Sequence, residues 1–428
     1  MSSFIIEGSQ SLQGVYRPGG NKNAAFPTLS AALLTDEPVT LHNIPEIGDI
    51  ITFLRILEDL GVSVERVGTH SIIIQARQIL KTNPDPALFS QLRGSLVLMG
   101  SLLSRTGSVA LSVPGGDKIG RRRIDTHFQA LRALGATFST EGNNFMLEVS
   151  TLRGADHLLD EASVTATENA ILAAVLAEGT TTLRYVASEP HVQDLCLMLN
   201  QMGACISGIG SNILTITGVK KLTGTEFTIG ADFMEVGSII GLAAVTNSEI
   251  LIKNADPHHL RMSLLIFERL GVQVTVQGDD ILISSGQPLQ IVPDMDGAIP
   301  RIDDAPWPGF PPDLMSIAVV VATQATGTVL IHEKMFDGRL YWVDRLIDMG
   351  ARIVVCDPHR VVVQGPSPLW AEPLGISSPD IRAGMALLIA ALAAKGTSTI
   401  HNIRQIDRGY ENIEEKLTGL GAKIKRVP

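Results

Sequence analysis

Lys22, in Gly20-Asn21-Lys22-Asn23-Ala24, and Arg93, in Gln91-Leu92-Arg93-Gly94-Ser95, each stand just before an apolar run that reads as a helix. A helix start carries unpaired N–H groups and a partial positive charge, so it attracts anions and opposes cations. A lysine or arginine there is better explained by a phosphate or carboxylate that the helix end and the side chain contact together. Four further helix starts carry a hydroxyl or an acid: Ser163, Asp232, Asp313 and Asp380. Each is a preferred N-cap, worth about 1 kcal/mol, and capping alone accounts for its type.

A third feature is the glycine-rich stretch Pro114-Gly115-Gly116-Asp117-Lys118-Ile119-Gly120-Arg121-Arg122-Arg123-Ile124-Asp125. Its four cations within six residues need a counter-charge. A solvated loop is the plain reading. A mobile lid over 113–125, with an acid at Asp117 and arginines behind it, would suit a phosphate-bearing substrate. Arg339, Arg382 and Arg408 are further anion-binding candidates.

These residues are hundreds of positions apart, and an internal repeat predicts how they are positioned. A helix ending in Leu/Met-Gly-Ala/Val and followed by a strand occurs at Gly61, Gly135, Gly203, Gly271, Gly350 and Gly421, at intervals of 68 to 79 residues. Each unit also contains a second helix that is apolar almost all round, such as Ala170 to Ala177 or Ala383 to Ala391. A helix without a polar face must be buried on every side, whereas the one before Leu-Gly is amphipathic, as from Glu411 to Leu420. The expected fold is therefore α/β: two inside-out α/β barrel globules, each of three repeats, with buried helices covered by sheets. The cleft between globules is the default ligand site. The repeat alone does not say which three units associate.

Composition narrows the function. The chain has 428 residues, 45% of them hydrophobic and only 4% aromatic, so its cores are large and built from small side chains. With 34 Lys+Arg against 44 Asp+Glu the formal charge is −10, which argues against nucleic acid or an anionic membrane as partner. Cys196, Cys205 and Cys356 form no CxxC pair and fit a reducing compartment. No basic, then apolar leader precedes Gly8, and no apolar run is long enough for a membrane span, so a cytoplasmic protein is expected. No P-loop pattern occurs. Gly208-Ile209-Gly210-Ser211 reads as a hairpin, and His258-His259 as surface.

Four pieces of the sequence resemble the enolpyruvyl transferases, with similarity along essentially the whole chain. They are Asn21-Lys22-Asn23-Ala24-Ala25, Pro114-Gly115-Gly116 with Ile119-Gly120 and Arg122, Phe310-Pro311-Pro312-Asp313, and Ile406-Asp407-Arg408-Gly409-Tyr410-Glu411. The resemblance is strongest to the branch that acts on UDP-N-acetylglucosamine at the first committed step of peptidoglycan precursor synthesis. It implies two inside-out globules, the first covering 22–230 with the lid and the second covering 1–21 and 231–428. It also implies an addition–elimination in which the 3′-hydroxyl of UDP-N-acetylglucosamine attacks C2 of phosphoenolpyruvate, C3 gains a proton, and phosphate leaves. No metal or organic cofactor is implied, and the oligomeric state stays open.

By the same resemblance Asp313 is the carboxylate assigned to the hydroxyl and Asp117 the lid acid. Lys22, Arg122 and Arg408 match phosphoenolpyruvate-binding cations, with Arg93, Arg339 and Arg382 beside them. Asn23, Arg122, Arg123, Ile124, Asp125, Thr126, Ser163, Val164, Asp313 and Met335 match positions that contact the UDP-sugar.

The chain departs from the family pattern in several places. Asp117 stands where most members carry the cysteine alkylated by fosfomycin, so activity with resistance is expected. Arg123 and Thr126 replace a proline and a leucine, Glu161 stands where a lysine often contacts the diphosphate, and Phe336-Asp337-Gly338-Arg339 varies the usual Phe-Glu-Asn-Arg. Two other readings compete: the sister branch acting on shikimate 3-phosphate, whose Ser-Lys-Ser and Gly-Asn-Ala-Gly-Thr motifs are absent here, and a non-catalytic UDP-sugar-binding paralogue.

Overall fold

The six repeat glycines share one backbone state in the computed structural model of the chain, with φ of 92° at Gly61, 103° at Gly135, 98° at Gly203, 87° at Gly271, 102° at Gly350 and 99° at Gly421. A Cβ is disfavoured there, so glycine ends each amphipathic helix before the chain turns into a strand. The structure describes every residue except Met1, Asp117, Lys118, Arg121, Asn143 and Pro373.

The apolar helices are Lys22–Ala31, Leu98–Thr106, Val164–Ala174, Phe233–Val245, Pro312–Gln324 and Ile381–Ala393. They are buried as their composition requires: in the last, every residue from Ile381 to Leu392 is inside. Small residues set their spacing. A Cβ on Gly237 or Gly241 would come within 2.6 Å of Leu314 or 2.3 Å of Ile317 on the neighbouring helix. No helix among the described residues is long and apolar enough to cross a membrane.

Each inner helix leads into a strand that organises one sheet. Five sheets of four strands and one of three occur among the described residues. Val39–His42 shows the scheme: Glu226–Thr228 pairs with it in parallel on one side, and the hairpin Ser71–Gln75 and Ser63–Gly68 follows antiparallel on the other. In the sixth sheet the N-terminal strand Ser3–Glu7 lies antiparallel between Thr397–His401 and Lys423–Val427. The matching tetrapeptides Leu41-His42-Asn43-Ile44 and Ile400-His401-Asn402-Ile403 do one job in two places. Asn43 and Asn402 both take φ 57°, and each side-chain amide donates to a backbone carbonyl, of Ile229 and Ser378, at 2.9 Å.

The strands that precede the first and fourth inner helices are exchanged. Gln13–Tyr16 pairs with Glu249–Ile252, and Glu226–Thr228 pairs with Val39–His42. The chain accordingly divides into two compact units, Met1–Gly19 with Lys118–Arg121 and Ala231–Pro428, and Gly20–Asp117 with Arg122–Gly230. Each has its own buried apolar cluster. In one, Pro312–Gln324 packs on Phe233–Val245 and Ile381–Ala393; in the other, Leu98–Thr106 packs on Lys22–Ala31 and Val164–Ala174. Gly208 and Gly210, at φ 83° and 82°, turn the hairpin between Cys205–Ser207 and Ile213–Thr217.

Candidate active site

In the Gly20–Gly230 unit, Asn21 caps the first inner helix by accepting from the N–H groups of Asn23 (2.8 Å) and Ala24 (3.2 Å). Lys22 follows inside the first turn. Its Nζ lies 3.3 Å from Asp49 Oδ2, and both side chains are about nine-tenths buried. The counter-charge that a cation at a helix start calls for is thus in part a protein carboxylate, on the amphipathic helix Gly48–Asp59. Asn23, next along, is half-buried.

Arg93 precedes the second inner helix, and its guanidinium donates to the carbonyls of Arg122 and Arg123, each at 3.0 Å. Burial first, and then the Arg122 charge, pull Arg93 down to about 10. The Glu161 charge acts in the opposite direction and favours the Arg93 cation. Arg123 is tied to Asp160 at 2.6 Å and to Asp125 at 3.4 Å. Thr126 Oγ1 donates to the same Asp160 at 2.6 Å. His127 is held between Ile124 O at 3.2 Å and Thr165 Oγ1 at 2.8 Å. Burial and the Arg93 charge take it down to about 4, so a neutral imidazole braces this segment near neutral pH. Asp160 and His127 thereby fix the segment from Arg122 to Thr126. The sequence reading missed both, although Asp160 stands three residues before Ser163.

Ser163 occupies the N-cap position of Val164–Ala174, yet its side chain makes no capping hydrogen bond. Ser163 and Val164 are both half-buried at this helix start. The cap reading of Ser163 is therefore corrected.

In the other unit, three helix starts converge on one arginine. Arg382 is 4% exposed and donates from Nε to Asp313 Oδ2 at 2.9 Å and from Nη1 to Tyr410 Oη at 3.2 Å. Burial opposes its charge, but Tyr410, Asp313 and Asp232 together hold it above the arginine norm. Asp313 also receives a hydrogen bond from Arg339 Nη2, and Arg339 lies 5.4 Å over the Phe336 ring. Arg339 and Arg382, expected beside the phosphoenolpyruvate-binding cations, both hold Asp313 here. Arg408 donates to Gln405 Oε1 at 2.8 Å. Met335 is partly exposed, with its N–H on Asp304 Oδ2 at 3.2 Å.

The four expected caps therefore split into two pairs. Asp232 accepts from Met234 N at 2.9 Å and Glu235 N at 3.2 Å, and Asp380 from Arg382 N at 2.8 Å and Ala383 N at 2.9 Å. Asp313 is not at the cap position: Pro311 is the N-cap and Pro312 the first helical residue, which puts Asp313 one place inside. The Pro-Pro pair was the available signal, because proline favours the first helical position. His258 is exposed as expected. His259 is not simply surface, being half-buried with its ring 6.3 Å from Trp307. Asp117, the expected lid acid, lies outside the described residues.

Comparison with known proteins defines the class. The sequence profile of EPSP synthase (3-phosphoshikimate 1-carboxyvinyltransferase) matches residues 6–417. The solved enolpyruvyl transferase NikO from Streptomyces tendae superposes with a TM-score of 0.89 at 25% identity, covering 100% of this chain and 99% of that one. An EPSP synthase from Acinetobacter baumannii, at 19% identity and a TM-score of 0.77 over 100% of both chains, shares the fold. UDP-N-acetylglucosamine 1-carboxyvinyltransferase of Borreliella burgdorferi is 54% identical over 100% of this chain and 99% of its own. The enzyme of that name from Treponema denticola is 52% identical over 99% of each. The chain therefore belongs to the UDP-N-acetylglucosamine 1-carboxyvinyltransferase branch of the EPSP synthase family.

Proposed function

We propose that this chain transfers the enolpyruvyl group of phosphoenolpyruvate to the 3′-hydroxyl of UDP-N-acetylglucosamine and releases phosphate. The observation that carries this reading is the 54% identity, across the whole chain, to a relative named for that reaction. The ion-paired Asp313 and the Arg93–Arg122 pair supply chemistry of the required kind. The product belongs to peptidoglycan precursor synthesis in the cytoplasm, and through it to cell-wall biogenesis, cell shape and division.

The reaction needs a proton acceptor at the sugar hydroxyl, a proton donor at the C3 methylene and cations around phosphate and carboxylate. Asp313 takes the hydroxyl proton, its two oxygens oriented by Arg339 and Arg382. As the hydroxyl oxygen bonds to C2, the C2–C3 π electrons take up a proton from Asp117. Expulsion of phosphate from the tetrahedral adduct, with return of a C3 proton to the Asp117 carboxylate, restores the double bond. Lys22, Arg122 and Arg408 bind phosphoenolpyruvate, Arg93 adds charge beside Arg122, and Arg339 and Arg382 share their hold on Asp313 with the substrate anion. Asn23, the segment from Arg122 to Thr126, Ser163, Val164 and Met335 contact the UDP-sugar.

The test is phosphate release from phosphoenolpyruvate with each acceptor. Release with UDP-N-acetylglucosamine alone is expected. Release with shikimate 3-phosphate would transfer the chain to the sister branch, and release with neither would leave a UDP-sugar-binding protein. Fosfomycin sharpens the Asp117 assignment, because a carboxylate does not form the stable thioether that a thiol does. Turnover should survive prolonged fosfomycin treatment and recover fully on dilution; irreversible loss would overturn the expectation.

A further inference from the structure

Asp304 and Glu333 directly follow two parallel strands, Arg301–Asp303 and Gly327–His332, whose last residues are register partners. Both side chains are fully buried. Asp304 accepts from the backbone N–H of Lys334 and, at 3.2 Å, of Met335, so its carboxylate holds the start of the turn 334–339. Glu333 is anchored through its backbone: its N–H donates to His359 O and its carbonyl meets His359 Nδ1, both at 2.8 Å. By strict hydrogen-bond geometry neither carboxyl oxygen of Glu333 is paired among the described residues, yet the Asp304 carboxyl and the Phe336 N–H both lie near enough to act on it. The turn carries Met335 and Phe336, donates from Gly338 N to Ile119 O at 3.0 Å, and ends in Arg339, which grips Asp313.

Resting on the transferase reading above, we propose that the buried Asp304–Glu333 carboxyl pair is a positioning device for the transfer. It fixes the 334–339 turn, and through that turn the Arg339 guanidinium that orients Asp313. Two buried carboxylates side by side would repel, and an unpartnered buried charge is costly. Burial first, and then the neighbouring Asp304, push Glu333 up to about 9, so at neutral pH it is a neutral acid.

The other charged or titratable groups around it are Asp303, His332 and Lys334 at the strand ends, His359 from the adjoining hairpin, and Asp337 and Arg339 from the turn. Five of them are engaged with one another: Asp303 with His332 at 3.3 Å and Lys334 at 3.6 Å, and His359 with Asp337 at 3.3 Å. Ionisation of Glu333 at alkaline pH sets a negative charge against the Asp304 carboxyl and loosens its hold on the two amides. The linkage has one sign. A carboxyl group raised in the fold contributes stability that is fully present below its unfolded pKa and is lost as pH rises toward about 9.

The test compares Glu333→Gln, Glu333→Ala and Asp304→Asn in the full chain, with kinetics from pH 6 to 10, melting curves and amide exchange. Glu333→Gln keeps a neutral hydrogen-bonding group, so it should stay near wild-type kcat at pH 7. It should also remove the alkaline decline and melt higher than wild type at pH 8 to 9. Glu333→Ala and Asp304→Asn should lose kcat by about 100-fold, the scale of a misplaced reacting group, with KM for phosphoenolpyruvate changing far less. Their amides at 334–339 should exchange faster, with the rest of the unit unchanged. The proposal is overturned if Glu333→Gln is as impaired as Glu333→Ala, or if the alkaline decline persists in it. Exchange needs no turnover: equal protection of 334–339 in all three variants overturns the proposal even if wild type releases no phosphate with any acceptor, a result that would separately refute the transferase reading.

Discussion

Asp232 and Asp313 look equivalent in the sequence, each an aspartate ahead of a long apolar helix, and the fold uses them in opposite ways. Asp232 sits outside its helix and satisfies two free amides. Asp313 sits inside the first turn and is held by two guanidiniums. The difference comes from one residue. Pro312 takes the first helical position and moves the cap back to Pro311, which leaves Asp313 inside the turn beside the two arginines. Asp380 and Ser163 repeat the contrast, one capping and the other not.

Substitutions can break this comparison, and the largest effect is expected at Asp313. Asp313→Ala should cut turnover by about 1,000-fold, within the range for losing a positioned proton acceptor. UDP-sugar binding, measured by calorimetry, should persist. If the variant merely loses a cap's worth of stability and keeps its turnover, the two aspartates are alike after all.

Lys22→Ala should lose both phosphate release and stability, because it leaves Asp49 buried without its cation, a change worth about 3 kcal/mol. Lys22→Ala with Asp49→Asn should recover much of the melting temperature but none of the activity. Recovery of activity would make the pair purely structural.

Asp232→Ala should destabilise by about 1–2 kcal/mol, the cost of a lost cap, and leave kcat unchanged. A chemical denaturation curve beside an initial-rate measurement decides it. The smallest change is expected from Ser163→Ala. Its stability should match wild type because no capping bond is lost. KM for the nucleotide sugar should rise several-fold, the worth of one hydrogen bond of about 1 kcal/mol. A stability loss without a KM change would return Ser163 to the caps.

Much of the architecture was legible in the sequence because it is local. A left-handed glycine after an amphipathic helix and an apolar stretch with no polar face are short-range signals, and each occurs six times. The candidate site was legible as residue types at helix starts. Its internal pairings were not. Asp49 is separated from Lys22 by a strand and a turn, and Asp160 looks like any loop acid until Arg123 and Thr126 converge on it. The Asp304–Glu333 pair arises only because two strand ends lie side by side.

What the amino-acid order determined alone was the repeat, the burial of one helix per unit, and the placing of cations and acids at the starts of those helices. These follow from backbone sterics and from the cost of leaving apolar surface in water, which act over a few residues at a time. Tertiary structure decided which acid caps and which pairs with arginine, and which distant strand closes each sheet. It also decided that Ser3–Glu7 completes the sheet of the last repeat. Those outcomes depend on charges and strand edges meeting across long stretches of chain, and only the folded arrangement fixes such meetings.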